Sequence, residues 1–310
     1  MKHPRLQREA KYLSVHPEGT CNCHCHYVID QLNEEQIPTL LAFGCSFTGD
    51  IGKAFTDEGF LHPSNEVKKQ KEGNAGYWSQ TLMHLTQRNL LNFGCGGVGN
   101  YYIASRIYNT FTSVNLNIVR YTHVNPIVVV MWTGMDRVDR MVSKEEFPLY
   151  DKIQSKSPSL VRDGWLHSAT PPQGYIGMGG LPEYVERYWT NYYKMFHTEQ
   201  DSYNQTLQHM LGVQQFLTNR NIPYLFLTYK DIFTGRYGKY EETKSLETAI
   251  NWNMFHFPNA EYGGMLEWVQ DNEDLIDPWA EDGKHPSKES HKKFAEYLHN
   301  LDALQYLFTS

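Results

Sequence analysis

Ile127-Val128-Val129-Val130-Met131-Trp132 is an unbroken apolar run rich in β-branched residues. A strand that alternates apolar and polar residues buries one face. A strand apolar at every position is covered on both faces, as in a parallel sheet sandwiched between helices. Outward from this run, Thr39–Gly44 (TLLAFG) reads as a short buried strand running into a glycine turn. Leu90–Phe93 and Tyr224–Thr228 (YLFLT) read as two further strands. Helical spacing occupies Trp78–Asn89, Tyr101–Asn117 and Tyr184–Asn219, the last long enough for two helices. Ser287 is a good N-cap for a final helix to about Leu304, with Ser290 and His291 in its first turn. Strands alternating with helices predict a doubly wound, three-layer α/β/α domain of flavodoxin-like type with mostly parallel strands. Sites in such sheets form beyond the carboxyl ends of the strands.

The expected layout is an N-terminal extension over 1–36 and one domain over 37–310. Insertions interrupt that domain at about 138–180, rich in Pro, Gly and Ser without a clear period, and at 231–281. Long irregular segments of this kind usually carry function or hold small unrecognised elements.

Bulk properties exclude several classes. The chain has 310 residues, 40% hydrophobic, with a net charge of -7. No basic footprint of a nucleic-acid binder is present. No apolar run approaches the roughly 18 residues that span a bilayer, and no signal-peptide core follows the first residues. The expectation is a cytoplasmic protein without membrane partners, or one associated with a virion or released by lysis if phage-encoded.

Chemistry concentrates at the strand ends. Gly44-Cys45-Ser46-Phe47-Thr48 places a serine in a tight turn after a buried strand, where its hydroxyl is exposed at the sheet edge. By itself this is a common turn. Near the other end of the chain, Asp282-Gly283-Lys284-His285-Pro286 spaces a carboxylate three residues from an imidazole. Asp282 can hold one ring nitrogen of His285 and leave the other for a serine, the arrangement a serine nucleophile needs. Alone it reads equally well as a surface turn. Pro286 keeps His285 out of the helical region, just before the last helix. Between them, Asn92-Phe93-Gly94-Cys95-Gly96-Gly97-Val98-Gly99-Asn100 is a glycine-rich turn whose N–H groups can approach a developing oxyanion. It lacks the Lys-Ser/Thr of a phosphate-binding P-loop.

The order of these blocks resembles the SGNH (GDSL-type) serine hydrolases. That family carries a Ser block after the first strand, a Gly in the loop after the second, an Asn block after the third, and Asp-x-x-His before the last helix. The resemblance implies Ser46 as nucleophile, Asp282 and His285 as its partners, and the N–H groups of Ser46 and Gly97 as oxyanion donors. It implies no metal and no organic cofactor. The activity implied is ester hydrolysis through an acyl-enzyme. The substrate would be a small ester or acylated glycan, and the aromatic content tilts the expectation toward O-acetyl groups on a carbohydrate.

Two positions depart from the family. Cys45 replaces its usual Asp before the serine, outside the triad. The third block reads Trp132-Thr133-Gly134-Met135-Asp136-Arg137, with Met135 where the oxyanion Asn belongs. Losing one such donor typically costs about 2.7–4 kcal/mol of transition-state stabilisation. Asn100 and Arg137 are the two replacements in reach, Arg137 doubling as a substrate-binding residue. The departure also motivates the alternative of a weakly active or non-catalytic glycan-binding or structural protein on the same fold.

Other clusters carry less. Cys21-Asn22-Cys23-His24-Cys25-His26 holds thiophilic ligand types. Alternate positions of a strand lie about 7 Å apart, too far to chelate one ion unless the segment turns. The plainer alternative is inward-packed Cys21, Cys23 and Cys25, with His24 and His26 outside. Five cysteines, three of them crowded into five residues, make no disulfide framework. Cys45 is not expected to compete as nucleophile, because neighbouring side chains in a tight turn diverge. Tyr188, Trp189, Tyr192 and Tyr193 have the spacing of a packed helix face more than of a sugar platform. Asp136, Arg137, Asp139 and Arg140 read as a solvated charge pattern.

Overall fold

Ile127–Trp132 is strand β3 and lies inside a four-stranded sheet with every residue buried. The computed structural model describes residues 38–49, 77–86, 88–112, 125–145, 147–156, 161–162, 164–168, 183–258, 261–274, 277–280, 282–283 and 285–302. The extension over 1–36, with its Cys/His cluster at 21–26, lies outside the described residues.

The sheet runs β2-β1-β3-β7, all parallel, from β1 (Thr39–Gly44), β2 (Asn89–Gly94), β3 and β7 (Tyr224–Thr228). Gly44 pairs with Gly94 on one side and Met131 on the other, so the strands end level. The chain steps from β1 outward to β2, then back across β1 to β3. This reversal opens a crevice at the carboxyl ends, the topological switch point. Helices cover the sheet in two pairs. α1 (Trp78–Thr86) packs on α8 (Lys288–His299), and α2 (Asn100–Thr112) packs on α5 (Glu199–Thr218). Right-handed crossovers put α1 and α2 on opposite faces. The expected three-layer α/β/α architecture is the one observed.

Several boundaries differ from the sequence reading. The first helix stops at Thr86, and Asn89 already pairs with Thr39 as the start of β2. The Thr86 hydroxyl donates back to the Leu82 carbonyl at 2.7 Å, the local competition that weakens a helix end. The long helical stretch is two helices, α4 (Glu183–Phe196) and α5, broken where Thr198 accepts from the Asp201 N–H. The final helix ends at His299, short of Leu304.

The 138–180 segment is more ordered than its lack of period suggests. Its described part holds β4 (Asp139–Met141), α3 (Tyr150–Lys156), β5 (Val161–Arg162) and β6 (Trp165–His167), the strands forming a small antiparallel sheet β4-β6-β5. Ile153, Val161, Leu166 and Trp189 build a second core there, with Tyr192 and Tyr193 packed against it. Strands of two or three residues are too short to show alternation, which is why the pattern is silent. The second insertion holds two 3₁₀ turns (Glu241–Thr243 and Trp252–Met254) with α6 (Lys244–Ala249) and α7 (Met265–Asp271). It returns to the sheet end, where the Leu266 N–H donates to the Tyr229 carbonyl at 2.7 Å. Among the described residues no helix is long and apolar enough to cross a membrane.

Candidate active site

The turn after β1 is closed by the Thr48 and Gly49 N–H groups, which both donate to the Cys45 carbonyl. Glycine is required around it. A Cβ on Gly44 would meet Thr48 Oγ1 at 2.2 Å, and one on Gly94 would meet the Gly49 nitrogen at 2.3 Å. Asn92 braces the turn from below. Its amide donates to the Thr48 carbonyl (2.8 Å) and Ser79 Oγ (3.0 Å), and its oxygen accepts from the Gly94 N–H (2.8 Å). The buried Asn92 therefore ties the turn, β2 and α1 together. Cys45 is fully buried while Ser46 projects outward, so the two side chains diverge.

The far end of the chain meets this turn. His285 Nε2 lies 3.0 Å from Ser46 Oγ, and His285 Nδ1 lies 2.5 Å from Asp282 Oδ2. The other Asp282 oxygen accepts from the His285 backbone N–H at 3.0 Å, so the carboxylate is fixed twice. With a carboxylate at Nδ1, that nitrogen carries the proton and Nε2 is free to accept from the serine hydroxyl. Gly283, at φ 64, turns the chain between the two residues, a conformation costly for other residues. The strap is pinned to α8. Ala280 N–H donates to the His285 carbonyl, Ser287 N–H to the Pro278 carbonyl, and the Ser287 hydroxyl to the Asp277 carbonyl. Ser287 also accepts from the Ser290 N–H, as its N-cap role requires. The pair is solvated, with the His285 side chain 40% and the Asp282 side chain 50% exposed.

Behind it sits His291, wholly buried, with Nδ1 accepting from the Trp78 N–H at 3.4 Å. Burial, and secondarily the neighbouring His285, push its pKa down to about 3. It is therefore neutral beside His285.

Gly97 has φ 77, a left-handed conformation suited to glycine. Among the described residues, neither its N–H nor that of Ser46 donates to a backbone carbonyl. Asn100 does not face the same space. Its oxygen accepts from the Thr133 N–H (2.9 Å), and its amide donates to the Thr133 carbonyl (3.1 Å) and Thr206 Oγ1 (3.2 Å). It is a buried clamp joining α2, α5 and the loop after β3. The expectation of an oxyanion donor at Asn100 is therefore corrected, because its amide is already engaged.

The loop after β3 also departs from the expected solvated charge pattern. Asp139 is buried. Its carboxylate accepts from the Gly99 and Tyr102 N–H groups at the start of α2 and lies 2.8 Å from His167 Nδ1. Tyr193 OH donates to the Asp136 carbonyl at 2.6 Å, and the Val138 N–H donates to Ser168 Oγ at 2.9 Å. Asp139 was legible only as a charge, since its partners His167 and Tyr102 lie far away in sequence.

Arg137 is half-buried, and its Nη1 is shielded from solvent without a hydrogen-bond partner. Its guanidinium reaches the Cys45 side chain and lies 5.5 Å from the Tyr229 ring centre. Burial opposes its charge, and Cys45, Tyr229 and Asp136 more than offset that, so its pKa is raised. Lys230 lies 4.0 Å from Asp136, so two cations share one carboxylate. Tyr229 and Lys230, which follow β7, were missed by sequence reasoning; position at a strand end was the available signal. Phe47 packs between Tyr229 (4.8 Å) and His285 (5.5 Å). A shallow groove beside Arg137 is bordered by Tyr101, Met135, Tyr192 and His197. Trp189 is core, as its spacing suggested, while Tyr192 reaches the groove. Among the described residues no group of three or more His, Cys, Asp or Glu side chains could hold a metal ion.

No protein-family model matches the chain, and no curated protein matches it. Two solved structures are similar. One is assigned to the lipolytic G-D-S-L family, from Desulfitobacterium hafniense DCB-2. It is 12% identical, covering 84% of this chain and 97% of that one at a TM-score of 0.39. The other is AlinE4, an SGNH-hydrolase family esterase, 15% identical, covering 87% and 96% at a TM-score of 0.32. The chain resembles SGNH hydrolases.

Proposed function

We propose that this chain is a serine hydrolase of the SGNH type that cleaves carboxylic esters through an acyl-enzyme on Ser46. The observation that carries the proposal is the contact series Ser46 Oγ, His285 Nε2 (3.0 Å), His285 Nδ1, Asp282 Oδ2 (2.5 Å), assembled across 239 residues of sequence. A chance turn and a chance surface histidine have no reason to meet in this orientation. In the proposed cycle, Ser46 attacks the ester carbonyl as His285 accepts its proton. Asp282 holds the imidazole and stabilises the imidazolium. The Ser46 and Gly97 N–H groups receive the oxyanion, His285 protonates the leaving alcohol, and water completes the cycle.

The aromatic content of the chain, 14%, favours an O-acetylated carbohydrate as the substrate. A glycan-binding role without catalysis is the second reading, favoured by Met135 in the third block. Turnover of a short-chain aryl ester by wild type and Ser46→Ala separates them. The proposal expects turnover to vanish in the variant. Equal turnover by both proteins would sink it. Release of acetate from acetylated xylan or peptidoglycan fragments then tests the substrate class.

A further inference from the structure

In the proposed cycle the Gly97 N–H receives an oxyanion, and such donors work by being aimed before the charge develops. Gly96 and Gly97 have no side chains to fix them, and Gly97 sits at φ 77. Val98 packs into the core beside them. The aim of the Gly97 N–H is otherwise set by what holds the two ends of the loop. At the near end the Cys95 N–H donates to the Gly44 carbonyl at 2.9 Å. At the far end the holder is Asp139, which belongs to the small antiparallel sheet. One of its carboxylate oxygens accepts from the Gly99 N–H (2.9 Å) and the other from the Tyr102 N–H (2.8 Å). N–H groups at the start of a helix have no partner inside it, and α2 finds its acceptor in Asp139. The approach is close, since a Cβ on Gly99 would meet Asp139 Oδ2 at 2.8 Å. Asp139 is held in turn by His167, its directly opposed partner between β4 and β6. His167 Nδ1 lies 2.8 Å from the oxygen that takes the Gly99 N–H, and both side chains are closed off from solvent. His167 Nε2 is buried without a hydrogen-bond partner among the described residues, so the polar contact of this ring is with Asp139.

We propose that Asp139, locked by His167, is the positioning residue that aims the Gly97 N–H at the oxyanion. This rests on the reading of Ser46 as nucleophile. Asp139 touches no reacting atom in this role and acts through Gly99 on the loop. An asparagine cannot replace it. Both carboxylate oxygens accept from backbone N–H groups, so either orientation of an amide sets its NH2 against one of them. That N–H is then buried without an acceptor, a penalty the loop end relieves by moving away. The inserted sheet β4-β6-β5 acquires a task, since it carries both members of the pair and presents them to the end of the loop.

The test compares wild type, Asp139→Asn, His167→Asn, His167→Leu and Ser46→Ala on p-nitrophenyl butyrate, with 1,1,1-trifluoro-2-pentanone as inhibitor and thermal unfolding as the check of fold. The ketone imitates the transition state: Ser46 Oγ bonds to its carbonyl carbon, the carbonyl π electrons pass to the oxygen as an oxyanion, and the serine proton passes to His285. Asp139→Asn is expected to lower kcat by about 10–10²-fold, the order of loss for a misplacement of about 1 Å. KM should stay within about threefold, because the interaction is made in the transition state. The Ki of the ketone should rise by the factor by which kcat/KM falls, since both report the oxyanion. A merely destabilised protein loses active molecules, which lowers kcat and leaves Ki unchanged. His167→Asn keeps an N–H donor near the Nδ1 position and should retain kcat within about threefold, whereas His167→Leu should lose about tenfold. Unchanged kcat in folded Asp139→Asn, or a lowered kcat with unchanged Ki, would overturn the assignment and leave the hydrolase reading intact. If Asp139→Asn does not fold, the His167 pair decides, and equal losses in His167→Asn and His167→Leu would overturn the assignment as well. Turnover retained by Ser46→Ala would instead remove the hydrolase reading, and this assignment with it.

Discussion

His291 makes the stability of the fold sensitive to acid in a calculable way. The residue is buried between α8 and α1, accepts from the Trp78 N–H, and has its pKa depressed to about 3 by burial and by His285. In the unfolded chain a histidine titrates near 6.5. Between these values the unfolded state binds a proton that the folded state does not, so stability rises with pH across the window. The contribution is complete above about pH 6.5. The two constants give a loss of about 2 kcal/mol on going from neutral pH to pH 5, and about 3 kcal/mol at pH 4. Urea unfolding of wild type and His291→Asn, measured from pH 8 to pH 4, isolates the residue, since other titrating groups cancel in the difference. The variant starts less stable at neutral pH because a buried contact is lost. The gap should then narrow by about 2 kcal/mol by pH 5. A gap that stays constant with pH would refute the reasoning, since it would mean that His291 titrates alike in both states.

Further outcomes follow from the same contacts. Asp282→Asn should lower kcat by about 10⁴-fold with the fold intact, because an amide does not hold the His285 tautomer; steady-state kinetics and circular dichroism check this. Asn92→Ala removes three hydrogen bonds, leaves the Gly94 N–H without its side-chain acceptor, and leaves the Thr48 carbonyl only the 3.5 Å contact from Ser79 Oγ. It should cost about 2–4 kcal/mol by denaturant titration and lower kcat by loosening the nucleophile turn. Gly94→Ala drives a methyl to 2.3 Å from the Gly49 nitrogen. It should destabilise by at least about 1–3 kcal/mol, read as a drop in Tm.

The sheet was legible because its signal is local. Ile127–Trp132 is apolar throughout and Tyr224–Thr228 nearly so, the pattern of strands covered on both faces. The position of Ser46 and the Asp282/His285 spacing were legible for the same reason, each being a short motif at a strand or helix boundary. What was hidden depends on partners remote in sequence. Asn100 looked like a free amide beside a glycine loop, yet Thr133 and Thr206 occupy it. Asp139 looked like surface charge, yet it caps α2 and meets His167. The small sheet β4-β6-β5 was invisible because its strands are too short for a period to register.

The proposed function makes Ser46 a nucleophile activated by His285. A fluorophosphonate probe tests it most directly, because it phosphonylates only an activated serine. Peptide mapping by mass spectrometry after labelling should find one adduct, on Ser46, lost in Ser46→Ala and strongly slowed in His285→Ala. An unlabelled protein, or an adduct on another serine at the same rate in Ser46→Ala, would contradict the account.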